Sequence, residues 1–195
     1  QEIWKIFVGL TLGSIVLLLL TGMPPWDAIN HGMTGIATGG FAVHENSIGH
    51  YSPLSQYATV PIMVAGSIAF PVHYLIFKGE LRNLYRDLQT RWVFIWFTAG
   101  SIALTGILWS NGQYETFEET FRLALFQFVS ATSNAGFGTA TIGAGTEQVW
   151  NAGATLLMCL GMLTGAAAGS TVSGLKLIRV ITLIKGTVWQ IRDVF

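Results

Sequence analysis

The sequence predicts an all-helical, multi-pass membrane protein, and three observations predict it. Of 195 residues, 51% are hydrophobic and only 10% charged, against roughly 25% charged in an ordinary soluble domain. Several apolar runs approach the ~20 residues needed to cross a bilayer. The charges between those runs are segregated by sign. Ten basic and ten acidic side chains cancel overall, which leaves no net positive field for nucleic acid. One cysteine, Cys159, sits in an apolar run, which excludes an internal disulfide framework and a cysteine-rich zinc site; it reads as a packing residue. The first residues lack an initiator Met, a basic leader and a small-residue cleavage site, so the first apolar run is expected to be a retained membrane helix rather than a signal peptide.

In chain order, the first span is expected at residues 3–21, long enough at ~1.5 Å per residue to cross roughly 30 Å of hydrocarbon. Residues 25–50 are semi-polar and rich in glycine, too broken to cross and too apolar for an ordinary loop. Such a segment re-enters the membrane, where its irregular backbone must line water or be buried in protein. Pro24-Pro25 and Asp27 suit a helix start, because proline there needs no amide donor and a carboxylate complements the positive end. A helix over 25–36 then meets the small-residue turn 37–41. A second span is expected at 57–77, a polar linker at 79–91, and a third span at 92–109. Residues 116–145 repeat the re-entrant character: Thr116-Phe117-Glu118-Glu119 has capping-box spacing, a helix runs over 117–132, and a turn follows at 133–137. The last apolar stretch, 150–189, is a span broken by small residues near its middle.

The two re-entrant stretches match at an offset of 96, which lays Gly40-Phe41 on Gly136-Phe137, Ile29 on Leu125, Thr34 on Ser130, Ala37 on Ser133 and Gly49 on Gly145. Identities are few, so the order of elements carries more weight than the letters. The chain therefore reads as two repeats, 1–78 and 92–195, joined by the linker 79–91. Lys5, Lys78, Arg82, Arg86, Arg91, Lys176, Arg179, Lys185 and Arg192 fall on one side with four acidic residues, whereas the other side has six acidic residues and Arg122 alone. Basic loops stay cytoplasmic, so both re-entrant segments enter from outside, through an acidic mouth that concentrates cations. Both short helices then aim their negative C-terminal ends into the membrane. The turns Ala37-Thr38-Gly39-Gly40-Phe41 and Ser133-Asn134-Ala135-Gly136-Phe137 follow immediately. Glycine there permits backbone angles that present carbonyl oxygens to an ion in place of its hydration shell.

The stretch from His31 through Gly32-Met33-Thr34-Gly35-Ile36-Ala37-Thr38-Gly39-Gly40-Phe41, with His44, Ser47, Ile48 and Gly49 after it, resembles the second pore loop of the Trk/Ktr/HKT superfamily of potassium transporters, in its bacterial TrkH-like branch. Gly169-Ser170-Thr171-Val172-Ser173-Gly174-Leu175-Lys176 resembles the glycine-rich break that follows that family's third pore loop. The resemblance implies a subunit of four span, pore helix and span repeats around one potassium pathway, of which this chain supplies the second and third. It implies ion-binding carbonyls at Ala37, Thr38, Gly39, Gly40, Ser133, Asn134, Ala135 and Gly136, with potassium held at Thr38, Gly39, Asn134 and Ala135. It implies that Gly165, Ala166, Ala167, Ala168, Gly169, Ser170, Thr171 and Gly174 form an intramembrane loop that hinders the pathway and moves during gating. It further implies a homodimer of pore subunits in a bacterial or archaeal inner membrane, in contact with lipid, resting on a cytosolic nucleotide-binding ring. This chain itself would then bind no organic cofactor and no nucleic acid. Many relatives have threonines where this chain has Ser133-Asn134-Ala135, so Asn134 either contacts the ion or braces its loop.

Other readings attach to particular residues. The 165–171 break could instead be a small-residue helix-packing face. A nucleotide loop fits poorly, since no Lys-Ser/Thr pair follows and no strand precedes it. His44 and His50 are six apart across a glycine, unlike the four-apart pair of a zinc protease helix, so loop hydrogen bonding is the simpler role. An intramembrane hydrolase or metalloenzyme built on His31, His44, His50 and Glu45 remains as an alternative from a different class, and a non-transporting structural subunit as another. His73 either lines a polar path or is a satisfied histidine beside Pro71. Arg122 is expected to pair with Glu118 or Glu119 on its own helix. Trp92, Trp109, Trp150 and Trp189 at span ends read as interfacial anchors.

Overall fold

A computed structural model describes residues 2–140 and 150–194. Among these the chain is helical without strands: α1 (Glu2–Leu20), α2 (Pro25–Ile36), a 3-10 turn (Ser47–His50), α3 (Pro53–Ser67), α4 (Phe70–Phe77), α5 (Asn83–Arg86), α6 (Leu88–Ser110), α7 (Phe117–Thr132), α8 (Ala152–Leu163) and α9 (Leu177–Val194). Gly145, matched above to Gly49, and Glu147 of the acidic side lie outside the described residues. Two of the described helices, α1 and α6, are long and apolar enough to cross a membrane. Large apolar side chains stand exposed along both, among them Leu12, Val16 and Leu20 on α1 and Phe94, Ile95 and Ile102 on α6, as expected of helices whose solvent is hydrocarbon.

Local chemistry sets the helix ends. Pro25 opens α2 after an extended Pro24. Ser52, Asp87, Thr116 and Asn151 each cap the helix that follows by accepting a backbone N–H, with Asp87 Oδ2 taking both the amide and the hydroxyl of Thr90 at 2.7 Å. The short helix α7 is the packing centre. It lies against α3, α6 and α8, and its residues from Phe126 to Thr132 are all buried. Its Phe128 fits against α6 only because residue 100 is glycine: a Cβ there would stand 2.0 Å from the Phe128 ring.

The apolar run 57–77 is not one helix. α3 and α4 meet at 105°, with Ile68 and Ala69 extended between them. Pro71 lies in the first turn of α4 and has no N–H to give to the carbonyl four residues earlier. That carbonyl, Ser67 O, instead accepts the amide of Ala167 at 3.2 Å, while the Phe70 amide donates to Gly169 O at 3.0 Å. His73 Nε2–H closes the corner by donating to Ala65 O at 2.9 Å, so this histidine is a satisfied one. Two further residues sit differently from expectation. Trp150 is buried and donates its indole N–H to Tyr114 at 3.1 Å, which makes it a core residue rather than an anchor. Cys159 is exposed on α8 rather than packed.

Because the Phe128 ring is enclosed and cannot swing aside, Gly100→Ala should destabilise the fold by ~1–3 kcal/mol. Gly106→Ala on the same helix, where a Cβ meets nothing within 4 Å, should not. Thermal unfolding of the detergent-purified full-length protein carrying this chain would read the difference.

Candidate functional site

α2 and α7 end in turns of the same geometry. The residues after the helices, Ala37 and Ser133, have φ/ψ of −74°/−6° and −74°/−8°. The next residues are left-handed, Thr38 at φ 51° and Asn134 at φ 53°, and so are Gly40 at 71° and Gly136 at 77°. The hydrogen bonds match as well. Gly39 N donates to Thr34 O at 2.8 Å and Ala135 N to Ser130 O at 3.1 Å. The hydroxyls of Thr34 and Ser130 each reach across the turn, to Phe41 O at 3.1 Å and Phe137 O at 2.6 Å. Every one of these pairs is separated by 96 positions.

The two turns touch. A Cβ on Gly40 would stand 2.4 Å from Ala135 O and 2.9 Å from Gly136 Cα. Beyond the turns, the chains are tied by Gly49 N to Gly138 O and Gly138 N to Ser47 Oγ, each at 3.1 Å. Phe137 packs on the fully buried His31 ring of α2 at 5.8 Å. The structure therefore brings Ala37, Thr38, Gly39 and Gly40 together with Ser133, Asn134, Ala135 and Gly136. Among the described residues, no donor reaches the carbonyls of Thr38, Gly39, Gly40, Ser133, Asn134, Ala135 or Gly136. Free carbonyls at the negative ends of two helices can replace the water of a cation.

The segment 164–176 lies against the same turns. Its base is pinned by Gly165 N to Leu175 O (2.8 Å) and Leu177 N to Ala166 O (3.1 Å). Ala167 and Gly169 bond to the α3–α4 corner as described, and the Ala168 amide donates to Gln89 Oε1 at 2.8 Å. Thr171 Oγ1 lies 2.9 Å from both Ile36 O and Gly66 O, and Thr38 Oγ1 reaches Thr171 O at 3.1 Å. Ser173 Oγ donates to the side-chain oxygen of Asn134 at 3.2 Å. Sequence reasoning matched Thr34 to Ser130 and placed Ser173 in the glycine-rich break but gave these residues no role at the site, and it missed Gln89. For the first two a signal was present, a hydroxyl at the same offset as the glycines. For the others there was none, since their partners lie far away in the chain.

The histidines form a separate cluster. Asp27, buried, accepts from Tyr51 OH at 2.9 Å and lies 3.5 Å from His44 Nε2. His44 stacks on His50 at 4.0 Å, and His31 Nδ1–H donates to Asp27 O at 2.7 Å. Burial first, and then the Asp27 carboxylate, raise the Tyr51 hydroxyl well above the usual phenol range, so it stays a donor. Glu45 is exposed, and among the described residues no three His, Cys, Asp or Glu side chains converge as metal ligands. Arg122 Nε pairs with Glu118 at 3.1 Å and its guanidinium also meets Gln56, fixing the N-terminal half of α7 to α3.

Membrane-length apolar helices with two short helices ending in matched glycine turns define a polytopic α-helical membrane protein. The family model described as TrkH, a cation transport protein, matches residues 1–195, and the chain belongs to that family. It is 33% identical over 188 residues to the Trk system potassium uptake protein TrkH of Escherichia coli K12, covering 95% of this chain and 38% of that protein. It is 30% identical over 193 residues to an uncharacterized cation transporter of Methanocaldococcus jannaschii, covering 98% and 37%. The crystal structure of the potassium transporter TrkH from Vibrio parahaemolyticus superposes with a TM-score of 0.90 at 28% identity, over 98% of this chain and 41% of that one. The chain thus spans about two fifths of the length of these relatives.

Gly40 and Gly136 hold left-handed backbone, which costs an L side chain about 1–2 kcal/mol. At Gly136 an added Cβ has only one neighbour, Gly40 Cα at 3.3 Å, whereas at Gly40 it collides with backbone. Gly40→Ala should therefore lower the melting temperature more than Gly136→Ala in the full-length protein.

Proposed function

We propose that this chain carries two of the repeats that line a potassium pathway through a bacterial or archaeal inner membrane. The observation that carries this reading is the contact of two matched turns at Gly40 and Gly136, with seven of their carbonyls, those of Thr38, Gly39, Gly40, Ser133, Asn134, Ala135 and Gly136, accepting from no donor among the described residues. Backbone oxygens of Thr38, Gly39, Asn134 and Ala135 are the principal potassium ligands, and those of Ala37, Gly40, Ser133 and Gly136 extend the filter. The Asn134 side chain is committed elsewhere, to Ser173 and, at 3.3 Å, to Thr132 O. Its role in this reading is to brace the loop. The segment from Gly165 to Gly174 is the gate, lying against the turns.

The relatives named as potassium uptake proteins support the cargo, and their greater length supports a pathway completed by further repeats outside this chain. A homodimer of such subunits on a cytosolic nucleotide-binding ring is part of the same proposal, supported by the basic residues of the cytoplasmic linker and of α9. The hydrolase alternative loses support because Glu45 is exposed and, among the described residues, no three His, Cys, Asp or Glu side chains converge.

The test is rubidium uptake by cells lacking their own potassium uptake, with sodium as competitor, comparing the full-length protein with Gly136→Ser. The side chain strains a left-handed position at the filter, so the variant should lose most of its flux or its preference over sodium. Flux by the unmodified protein that is absent, or identical in the variant, would overturn the assignment. His44→Ala and His50→Ala should retain uptake.

A further inference from the structure

We propose that Thr171 and Ser173 are latches for the gate loop, Thr171 holding it to the last carbonyl of α2 at the foot of the first filter turn and Ser173 holding it to Asn134 in the second, so that the loop cannot leave without loosening the turns. This rests on the reading of residues 165–174 as a gate and names the residues that couple it to selectivity.

The loop is held in two different ways. Its first half, from Gly165 to Ser170, is fixed through main chain: Gly165 N to Leu175 O, Ala167 N to Ser67 O and Phe70 N to Gly169 O, at 2.8 to 3.2 Å. Those bonds satisfy backbone at membrane depth and hold the loop to a rigid corner. Its tip, 171–173, reaches the filter chiefly through side-chain hydroxyls. Thr171 Oγ1 has one proton and two carbonyls at 2.9 Å, Ile36 O at the end of α2 and Gly66 O at the end of α3. The Thr171 amide also donates to Gly66 O at 3.3 Å, and the Thr38 hydroxyl, which lies 2.8 Å from Ala37 O, reaches Thr171 O at 3.1 Å, so this residue is held by the end of α2, by α3 and by the first turn. Ser173 Oγ meets Asn134 Oδ1 at 3.2 Å in the second turn. Thr38 and Asn134 occupy the same left-handed position of their turns. Each turn is thus met by the loop at its left-handed residue, which is β-branched and strained only at Thr38.

Neutral hydroxyl bonds of this kind are weak enough to open reversibly. Removing one shifts the balance between the closed and open loop by roughly two- to tenfold. A latch also has a second effect: without it the adjacent turn is free to relax, and discrimination between potassium and sodium should fall with the rise in flux. Simple packing of the loop tip would link neither quantity to a hydroxyl.

The experiment uses the full-length protein in vesicles, with rubidium influx and its inhibition by sodium measured per amount of protein that elutes as a single species in detergent. Thr171→Val and Ser173→Ala should each raise rubidium influx roughly two- to tenfold and lower the preference over sodium. Thr171→Ser, which keeps the hydroxyl and loses the methyl, should behave as the unmodified protein. Unchanged or reduced influx in Thr171→Val and Ser173→Ala overturns the latch. So does a Thr171→Ser protein that matches Thr171→Val, which would assign the effect to packing. If Thr171→Val fails to fold, Ser173→Ala decides, because Ser173 is exposed. An unmodified protein that carries no rubidium overturns the transport reading, and the latch with it, a result distinct from normal flux that the variants leave untouched.

Discussion

Polar backbone at membrane depth must find partners inside the protein, and the arrangement of this chain follows from that constraint. An unpaired amide or carbonyl in hydrocarbon costs several kcal/mol. Two irregular stretches meet the requirement by satisfying each other. The α3–α4 corner has a carbonyl that Pro71 cannot serve, and the loop after α8 has amides with no helix to join. Ser67 O with Ala167 N, and Gly169 O with Phe70 N, settle both at once. Each stretch would be unstable without the other, which is why they lie together.

The glycine turns are the exception to that rule. Within each turn the Thr34 or Ser130 hydroxyl and one amide hold the backbone shape, so the shape does not depend on pairing the remaining carbonyls. Seven carbonyls across the two turns accept nothing from the described residues. Their cost is bearable where an ion or water can stand against them. Contact between Gly40 and Gly136 then places two such sets side by side, each at the negative end of a helix.

The all-helical membrane class was legible from composition and run length. Pro24-Pro25 and Thr116 mark where α2 and α7 begin, because caps and prolines act within one turn of the residues that carry them. The corner at Ser67 was less so. Pro71 signals a lost bond, but a proline in an apolar run is compatible with a kink, and the 105° turn depends on donors about a hundred positions away. Trp150 illustrates the same limit: an indole at the end of a run looks like an interfacial anchor unless one knows that Tyr114 stands opposite. At the site, the glycines were visible as glycines, whereas Ser173 carries no local mark and gains its role only from where Asn134 is held.

The two turns are equal in backbone and unequal in side chain, and the inequality has a physical reading. Asparagine tolerates left-handed backbone because its short amide can bond locally; Asn134 does so to Thr132 O. Thr38 is β-branched, and positive φ is a strained state for such a residue. Its hydroxyl finds Ala37 O at 2.8 Å and Thr171 O at 3.1 Å, so the strained turn is also the one more tightly held by the loop. Strain of this kind persists only where surrounding contacts over-determine it. Under the proposed gating, a movement of the loop that withdraws Thr171 removes support from the turn at Thr38 before the turn at Asn134, and a change of ion preference that accompanied it would originate on the α2 side.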